Sequence, residues 1–189
     1  MKKIVLTFGL IAGVIMSAMM AITIPFHESI GMDKGLLIGY TSMVLSFLLV
    51  YFGVRSYRDN VAGGTVGFGR ALAVGALIGV VASLCYVATW EVIYFNTDVG
   101  TRAIESYQAD VLKKARAGGA TEEAIATQRA ELEAFAEDYR NPAINAAYTF
   151  MEPMPVAIIV ALVTAGVLSR RKRRGKTETG LVPGAQVTT

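Results

Sequence analysis

The stretch ALAVGALIGVVASLCYVATWEVIYF, residues 71–95, holds 25 residues and only one charged side chain, that of Glu91. A helix needs about 20 consecutive apolar residues to cross the hydrocarbon core of a bilayer. The whole chain fits this environment, because 53% of its 189 residues are hydrophobic and only 17% are charged. Soluble domains carry about 25% charged residues. The stretch therefore predicts a membrane-spanning helix.

Three further stretches are long and apolar enough to span a bilayer, namely residues 4–26, 35–54 and 146–169, the last of which contains Glu152. The first also resembles a secretory signal, but its apolar run exceeds the usual 7–15 residues. Met16 also stands where a cleavage site before position 19 requires a small residue. We interpret residues 4–26 as a retained helix, with cleavage as the alternative. The sequence predicts an all-α membrane protein with four transmembrane helices.

Basic residues predict the orientation, because Lys and Arg in short loops stay on the cytoplasmic side. Eleven of the 18 basic residues fall on one side if four helices cross. They are Lys2, Lys3, Arg55, Arg58, Arg70, Arg170, Arg171, Lys172, Arg173, Arg174 and Lys176. We therefore expect both termini, the 55–70 loop and a basic, disordered 170–189 tail to be cytoplasmic. Arg55, Arg58, Arg70, Arg170 and Arg171 would anchor the helices at the anionic lipid surface, and the tail does not indicate nucleic-acid binding.

Between the third and fourth spans, residues 96–145 have the pattern of a soluble helical pair. Apolar residues recur at spacings of three and four on both sides of Gly118-Gly119, which ends the first helix. The segment contains nine acidic and six basic residues, and it falls on the side opposite the basic loops. It predicts an extracytoplasmic helical hairpin.

The glycine-rich stretch VRSYRDNVAGGTVGFGRAL, residues 54–72, has two interpretations. Glycines beside arginines can cradle phosphate, but here the order is G-x-x-G-x-G and no Lys-Ser/Thr pair follows. A phosphate loop also lies between a strand and a helix, whereas this stretch lies between two apolar spans. We interpret it as the turn of a helical hairpin.

Two spans share a pattern of small residues with the same spacing: Gly9, Gly13 and Ser17 in the first, and Gly75, Gly79 and Ser83 in the third. The match has two explanations, a duplicated two-helix unit as in some transporters or independent close packing. In either case these residues predict helix–helix contact faces.

Glu91 and Glu152 are the carboxylates inside the apolar spans, where charge is costly and often functional. They lie about 6 and 9 Å from the outer ends of their helices at 1.5 Å per residue. With Tyr94, Tyr148 and Thr149 they predict an oxygen-lined pocket for a cation or a shared proton. The alternative is that both are interfacial anchors, neutralised by Arg102 or Arg140.

The chain has one histidine and one cysteine, His27 and Cys85. A multi-histidine metal site within one chain is excluded, and no intrachain disulfide can form. The expectation is a protein that is not an enzyme and that has no catalytic residues, metal or cofactor.

Several segments together resemble a bacterial membrane family, domain of unknown function 4199. They are GYTSMVLSFLLVYFGVRSYRDN, GGTVGFGRAL, YVATWEVIY, YRNP and TFMEPMPVAIIVALVTAGVLSRRK, and the resemblance covers about residues 3–172. It implies four transmembrane helices with an extracytoplasmic insert before the last, and no activity.

The sequence thus predicts a bacterial inner-membrane protein whose partners are the lipid bilayer and either a second copy of itself or another membrane protein. We expect a non-enzymatic interaction or structural role. The alternative is a small oligomeric transporter or channel component that uses Glu91 and Glu152.

Overall fold

A computed structural model describes residues 1–169, apart from the side chains of residues 27, 28 and 32, and the backbone of these residues forms helices and turns without a strand. The elements, in chain order, are α1 (Lys2–Thr23), a 3-10 turn (Ile24–Phe26), α2 (His27–Ile30), α3 (Met32–Asn60), α4 (Phe68–Asn96), α5 (Asp98–Ala117), α6 (Glu122–Tyr139), α7 (Pro142–Met151) and α8 (Met154–Leu168). The predicted anchors Arg170 and Arg171 and the predicted 170–189 tail lie outside the described residues.

Four helical segments of the described chain are long and apolar enough to cross a membrane. They are Lys2–Phe26, Asp33–Asn60, Phe68–Asn96 and Pro142–Leu168. The prediction of an all-α chain with four such segments is confirmed. All four exceed the roughly 20 residues that a bilayer core requires.

The connection between the second and third spans is shorter than predicted. Helix α3 continues to Asn60, so Arg55 and Arg58 lie in its last turns and not in a 55–70 loop. Arg70 lies in the first turn of α4. The two helices are joined by residues 61–67, where Gly63 and Gly64 have φ angles of 68° and 87°. Residues other than glycine rarely adopt positive φ angles, so these two glycines permit the chain to turn.

The fourth span differs in its bounds from the helix predicted over 146–169. It begins at Pro142, where the Asn141 side chain accepts a hydrogen bond from the Ala143 N–H at 3.0 Å. Helix α7 then ends at Met151, and α8 starts at Met154. Pro153 and Pro155 cause the break because proline has no N–H for a helical hydrogen bond. Glu152 lies at this junction.

Helix α4 lies at the centre of the bundle and packs against α1, α3 and α8. Helix α3 also contacts α1 and α8, whereas α1 and α8 are not among the extensively contacting pairs. The four spanning segments therefore form a rhombus, with α3 and α4 across its short diagonal. The core between them is filled by fully buried side chains, namely Phe47, Val50, Val54, Val74 and Ile78.

The small residues of α1 lie directly against α4. A Cβ atom added to Gly9 would lie 2.6 Å from Val81 Cβ, and one added to Gly13 would lie 2.5 Å from Cys85 Cβ. Ser17 Oγ donates a hydrogen bond to the Cys85 carbonyl at 3.3 Å. The residue numbers of the contacting pairs rise along both helices in the same direction, so α1 and α4 run parallel.

The small residues of α4 face α8 instead of α1. A Cβ atom added to Gly75 would lie 3.2 Å from Ala161 Cβ, and one added to Gly79 would lie 3.0 Å from Ala157 Cβ. Ser83, the third member of the pattern, is fully buried. This contact is antiparallel, so α1 starts and α8 ends at the same end of the bundle. The two matching patterns are both helix contacts, but they serve different partners.

We expect Gly13→Ala to destabilise the bundle, because the new methyl group would overlap Cys85 Cβ and lie 3.2 Å from Ala82 Cα. Overpacking of this kind costs about 1–3 kcal/mol. The matched control is Gly166→Ala, since nothing lies within 4 Å of a Cβ atom added there. In an open helical position the exchange stabilises by up to about 1 kcal/mol. Thermal unfolding in detergent should give shifts of opposite sign, and equal midpoints for the two variants would contradict the packing.

Candidate functional site

The two intramembrane carboxylates do not form one site. Tyr86 Oη donates a hydrogen bond to Glu152 Oε2 at 3.1 Å. Glu91 Oε1 is buried, and it has no hydrogen-bond partner among residues 1–169. Glu91 follows Trp90 on α4 and therefore lies about 100° around the helix from it. The predicted pocket that combined both acids is not present in this form.

Helix α4 instead presents a buried polar stripe toward α7 and α8. Its members, spaced three or four residues apart, are Ser83, Tyr86, Trp90 and Tyr94, each at most 9% exposed. Ser83 Oγ and Trp90 Nε1 have no hydrogen-bond partner within the described chain. Buried polar groups without partners are uncommon in native proteins. The stripe therefore places polar groups within the packed interior of the bundle, where Tyr86 is the member that bonds to Glu152.

Helices α6 and α7 contribute a second set of buried polar groups. Tyr139 Oη lies 3.1 Å from Thr149 Oγ1, and Thr149 Oγ1 donates to Asn145 Oδ1 at 3.3 Å. The Asn145 amide in turn donates to the Tyr139 carbonyl at 3.1 Å, closing a ring of three residues. Because the Thr149 hydroxyl donates to Asn145, Tyr139 Oη is the donor to Thr149. Burial raises the pKa of the Tyr139 hydroxyl above its ordinary value.

Tyr94 and Tyr148 take part in an aromatic cluster, which consists of Trp90, Tyr94, Phe135, Tyr139 and Tyr148. The Tyr94 and Tyr139 rings meet edge to face at 5.5 Å, and the Phe135 and Tyr148 rings meet at 5.3 Å. Such pairs contribute about 0.5–1.5 kcal/mol beyond the area that they bury. The aromatic cluster attaches α6 to α4 and α7. Of the predicted pocket residues, Thr149 belongs to the hydrogen-bonded ring, and the two tyrosines serve packing.

Glu152 borders a cavity of about 190 Å³ between α1, α3 and α4. The side chain of Glu152 is exposed at this point and not packed in the core. The other walls include several methionine and tyrosine side chains, those of Met16, Met20, Tyr40, Met43, Tyr86 and Tyr107 among them. Glu91 is not among the lining residues. The cavity is thus an apolar space with one carboxylate at its edge.

The sequence contains a signal for these polar groups that the search for acidic residues missed. Asn145, Thr149 and Glu152 are spaced by four and three residues on the fourth span, and Ser83, Tyr86 and Trp90 by three and four on the third. This is the helical period. A search for periodic polar residues within the apolar spans would have singled out Tyr86 and Asn145, although it would not have shown which residue meets Glu152.

The described chain offers no conventional metal site. Among the side chains that the structure describes, no group of three or more His, Cys, Asp or Glu residues is placed to hold a metal ion. Cys85 is a free thiol, and its side chain is half-buried where α4 packs against Gly13 of α1. This contact supports a packing role for Cys85.

Comparison with known proteins gives one match. A family model described as "Protein of unknown function (DUF4199)" matches residues 7–170. No curated protein and no solved structure matches the chain. The family match extends over all four apolar spans and the segment that contains α5 and α6.

We expect Asn145→Ala to destabilise the protein, because Asn145 is fully buried and its amide joins Tyr139 to Thr149. Leaving these buried groups without their partner costs about 1–3 kcal/mol. The control is Asn60→Ala, since Asn60 is exposed and bonds only to Ser56 Oγ at 3.2 Å. A lower unfolding midpoint for Asn145→Ala alone is the expected result. Equal midpoints for both variants would show that the ring does not stabilise the junction of α6 and α7.

Proposed function

The chain belongs to the DUF4199 family of proteins of unknown function, and we propose that it is a bacterial inner-membrane protein that acts by binding a partner and not by catalysis. In this proposal both termini are cytoplasmic. Helices α5 and α6 form an extracytoplasmic hairpin that presents a surface to the partner. The partner is a second membrane protein or a second copy of the chain, and the bilayer is the surrounding solvent.

The distribution of charge supports the orientation. Lys2, Lys3 and Arg70 lie at one end of the bundle, where α1 and α4 begin. Helices α5 and α6 follow the other end of α4, and the sequence between residues 96 and 145 is acidic on balance. Basic residues remain on the cytoplasmic side of bacterial membranes.

Contacts between α5 and α6 support the hairpin. Gln108 Nε2 donates to the Leu132 carbonyl at 2.7 Å across the pair. Gly119, in the connection, has a φ angle of 79°, which permits a tight reversal of the chain. Lys114 at the far end of α5 forms an ion pair with Asp33 of α3 at 2.6 Å. These contacts hold α5 over the bundle and leave α6 on the outside.

The observation that carries the proposal is the surface of α6. Only two of its 18 residues, Ile125 and Tyr139, are buried. Six of the 18 are acidic and one is basic, so the exposed face is strongly negative. Complementary charge directs association and sets specificity between proteins. The aromatic cluster joins α6 to α4 and α7. A partner that moved α6 would therefore also move α7, which ends beside Glu152.

A second candidate is a small oligomeric transporter or channel component. The cavity beside Glu152 favours it, whereas the separation of Glu91 from Glu152 and the filled core between α3 and α4 speak against passage through one copy. Cation uptake into proteoliposomes that depends on Glu152 but not on Glu91 would favour this candidate.

We expect Glu131→Gln with Glu133→Gln to release the partner, because both carboxylates are exposed on α6 and their loss removes two negative charges. The experiment is quantitative co-purification from native membranes in mild detergent, with the full-length chain as bait. The matched control, Glu105→Gln with Asp110→Asn, removes two charges from α5 instead.

A stoichiometric partner should be retained by the control and lost from the α6 variant. High salt should also release it from the wild-type chain, because the electrostatic screening length falls to about 3 Å at 1 M. Equal retention by both variants, or no partner with wild type, would contradict the proposed interaction surface.

A further inference from the structure

We propose that the cavity beside Glu152 binds a small organic ammonium ion with an apolar body. This ligand site lies apart from the α6 surface and does not depend on the partner proposed for it. The inference rests on the charge at the edge of the cavity, on the chemistry of its walls and on the open space at Gly39.

The first argument is an unbalanced charge. Glu152 accepts one hydrogen bond, from Tyr86, and no Lys or Arg of the described chain lies within 4.0 Å of its carboxylate. Three basic residues of α5 and of the turn before α7 have other partners: Lys114 pairs with Asp33 at 2.6 Å, Arg102 with Asp98 at 3.2 Å and Arg140 with Glu137 at 3.1 Å. Glu152 is exposed on the surface of the bundle, so in a bilayer it would face hydrocarbon, where a carboxylate is costly unless it takes up a proton or a cation accompanies it.

The walls are suited to an organic cation. Tyr40, Tyr86 and Tyr107 border the cavity, and tyrosine rings attract ammonium groups through their negative faces. The thioethers of Met16 and Met43 adapt to apolar bodies of different shape. A hard divalent ion is less suited, because Mg²⁺ and Ca²⁺ require six or more oxygen ligands and the cavity offers one carboxylate.

The space is sufficient for such a ligand. A cavity of about 190 Å³ is well above the volume that holds a single water molecule. Gly39 of α3 forms part of the wall, and nothing lies within 4 Å of a Cβ atom added to it. A side chain added at Gly39 would therefore begin in open space at the wall of the cavity.

The test is a titration of the purified full-length protein in neutral detergent with n-hexylammonium chloride, followed by tryptophan fluorescence. Trp90 is the only tryptophan, and it lies one turn from Tyr86 on the same stripe of α4. We expect a saturable change in its emission and a rise in the unfolding midpoint. Hexanol, which has the same apolar chain without charge, and sodium chloride at equal ionic strength are expected to give neither.

Two pairs of variants decide the assignment. Glu152→Gln should weaken hexylammonium binding at least tenfold, whereas Glu91→Gln, which removes a carboxylate outside the cavity, should leave it unchanged. Gly39→Leu should abolish binding by filling the space, whereas Gly166→Leu, at an open position away from the cavity, should not.

Three results would overturn the inference: equal binding of hexanol and hexylammonium, unchanged affinity in Glu152→Gln, or unchanged affinity in Gly39→Leu. Saturation by sodium alone would also overturn it, in favour of an inorganic cation. Should Glu152→Gln fail to fold, the Gly39→Leu and Gly166→Leu pair still decides the outcome.

Discussion

The structure depends on one constraint, that backbone N–H and C=O groups in hydrocarbon have no water to bond and must find partners within the protein. Continuous helices satisfy this condition along the first three spans. The fourth span breaks at Glu152–Pro153, where proline removes a backbone donor. Pro153 is fully buried and Glu152 borders the cavity. The irregular backbone therefore lies against protein and a cavity, where such a break is tolerated.

The same constraint explains the use of small residues. Lipid chains are as apolar as leucine, so close packing and not water exclusion holds membrane helices together. Helix α4 uses its two faces differently: α1 brings Gly9 and Gly13 to one face, and the other presents Gly75 and Gly79 to α8. The same spacing of small residues in two helices thus indicates close packing. The small residues of this pattern in α1 do not contact those in α4, because each set packs against a different face.

The number of apolar spans could be predicted from the sequence, but which faces of the helices meet one another could not. The four spans follow from length and hydropathy alone. The end of α3 was misplaced because Arg55 and Arg58 resemble loop residues, although long basic side chains are compatible with helical turns at an interface. Glu91 and Glu152 were placed at similar depths, yet only packing shows that Glu152 meets Tyr86. Pro153 and Pro155 indicate lost backbone hydrogen bonds in the fourth span, but tertiary contacts decide whether the helix ends there.

The most direct test of the account is the accessibility of single cysteines in intact spheroplasts. Cys85 is the only native cysteine, so a Cys85→Ala chain can carry either Thr127→Cys in α6 or Thr65→Cys in the turn between α3 and α4, both at exposed positions. A membrane-impermeant maleimide should label Thr127→Cys in intact cells, and Thr65→Cys only after lysis. Labelling of both before lysis, or of Thr65→Cys alone, would contradict a four-span chain with α5 and α6 outside.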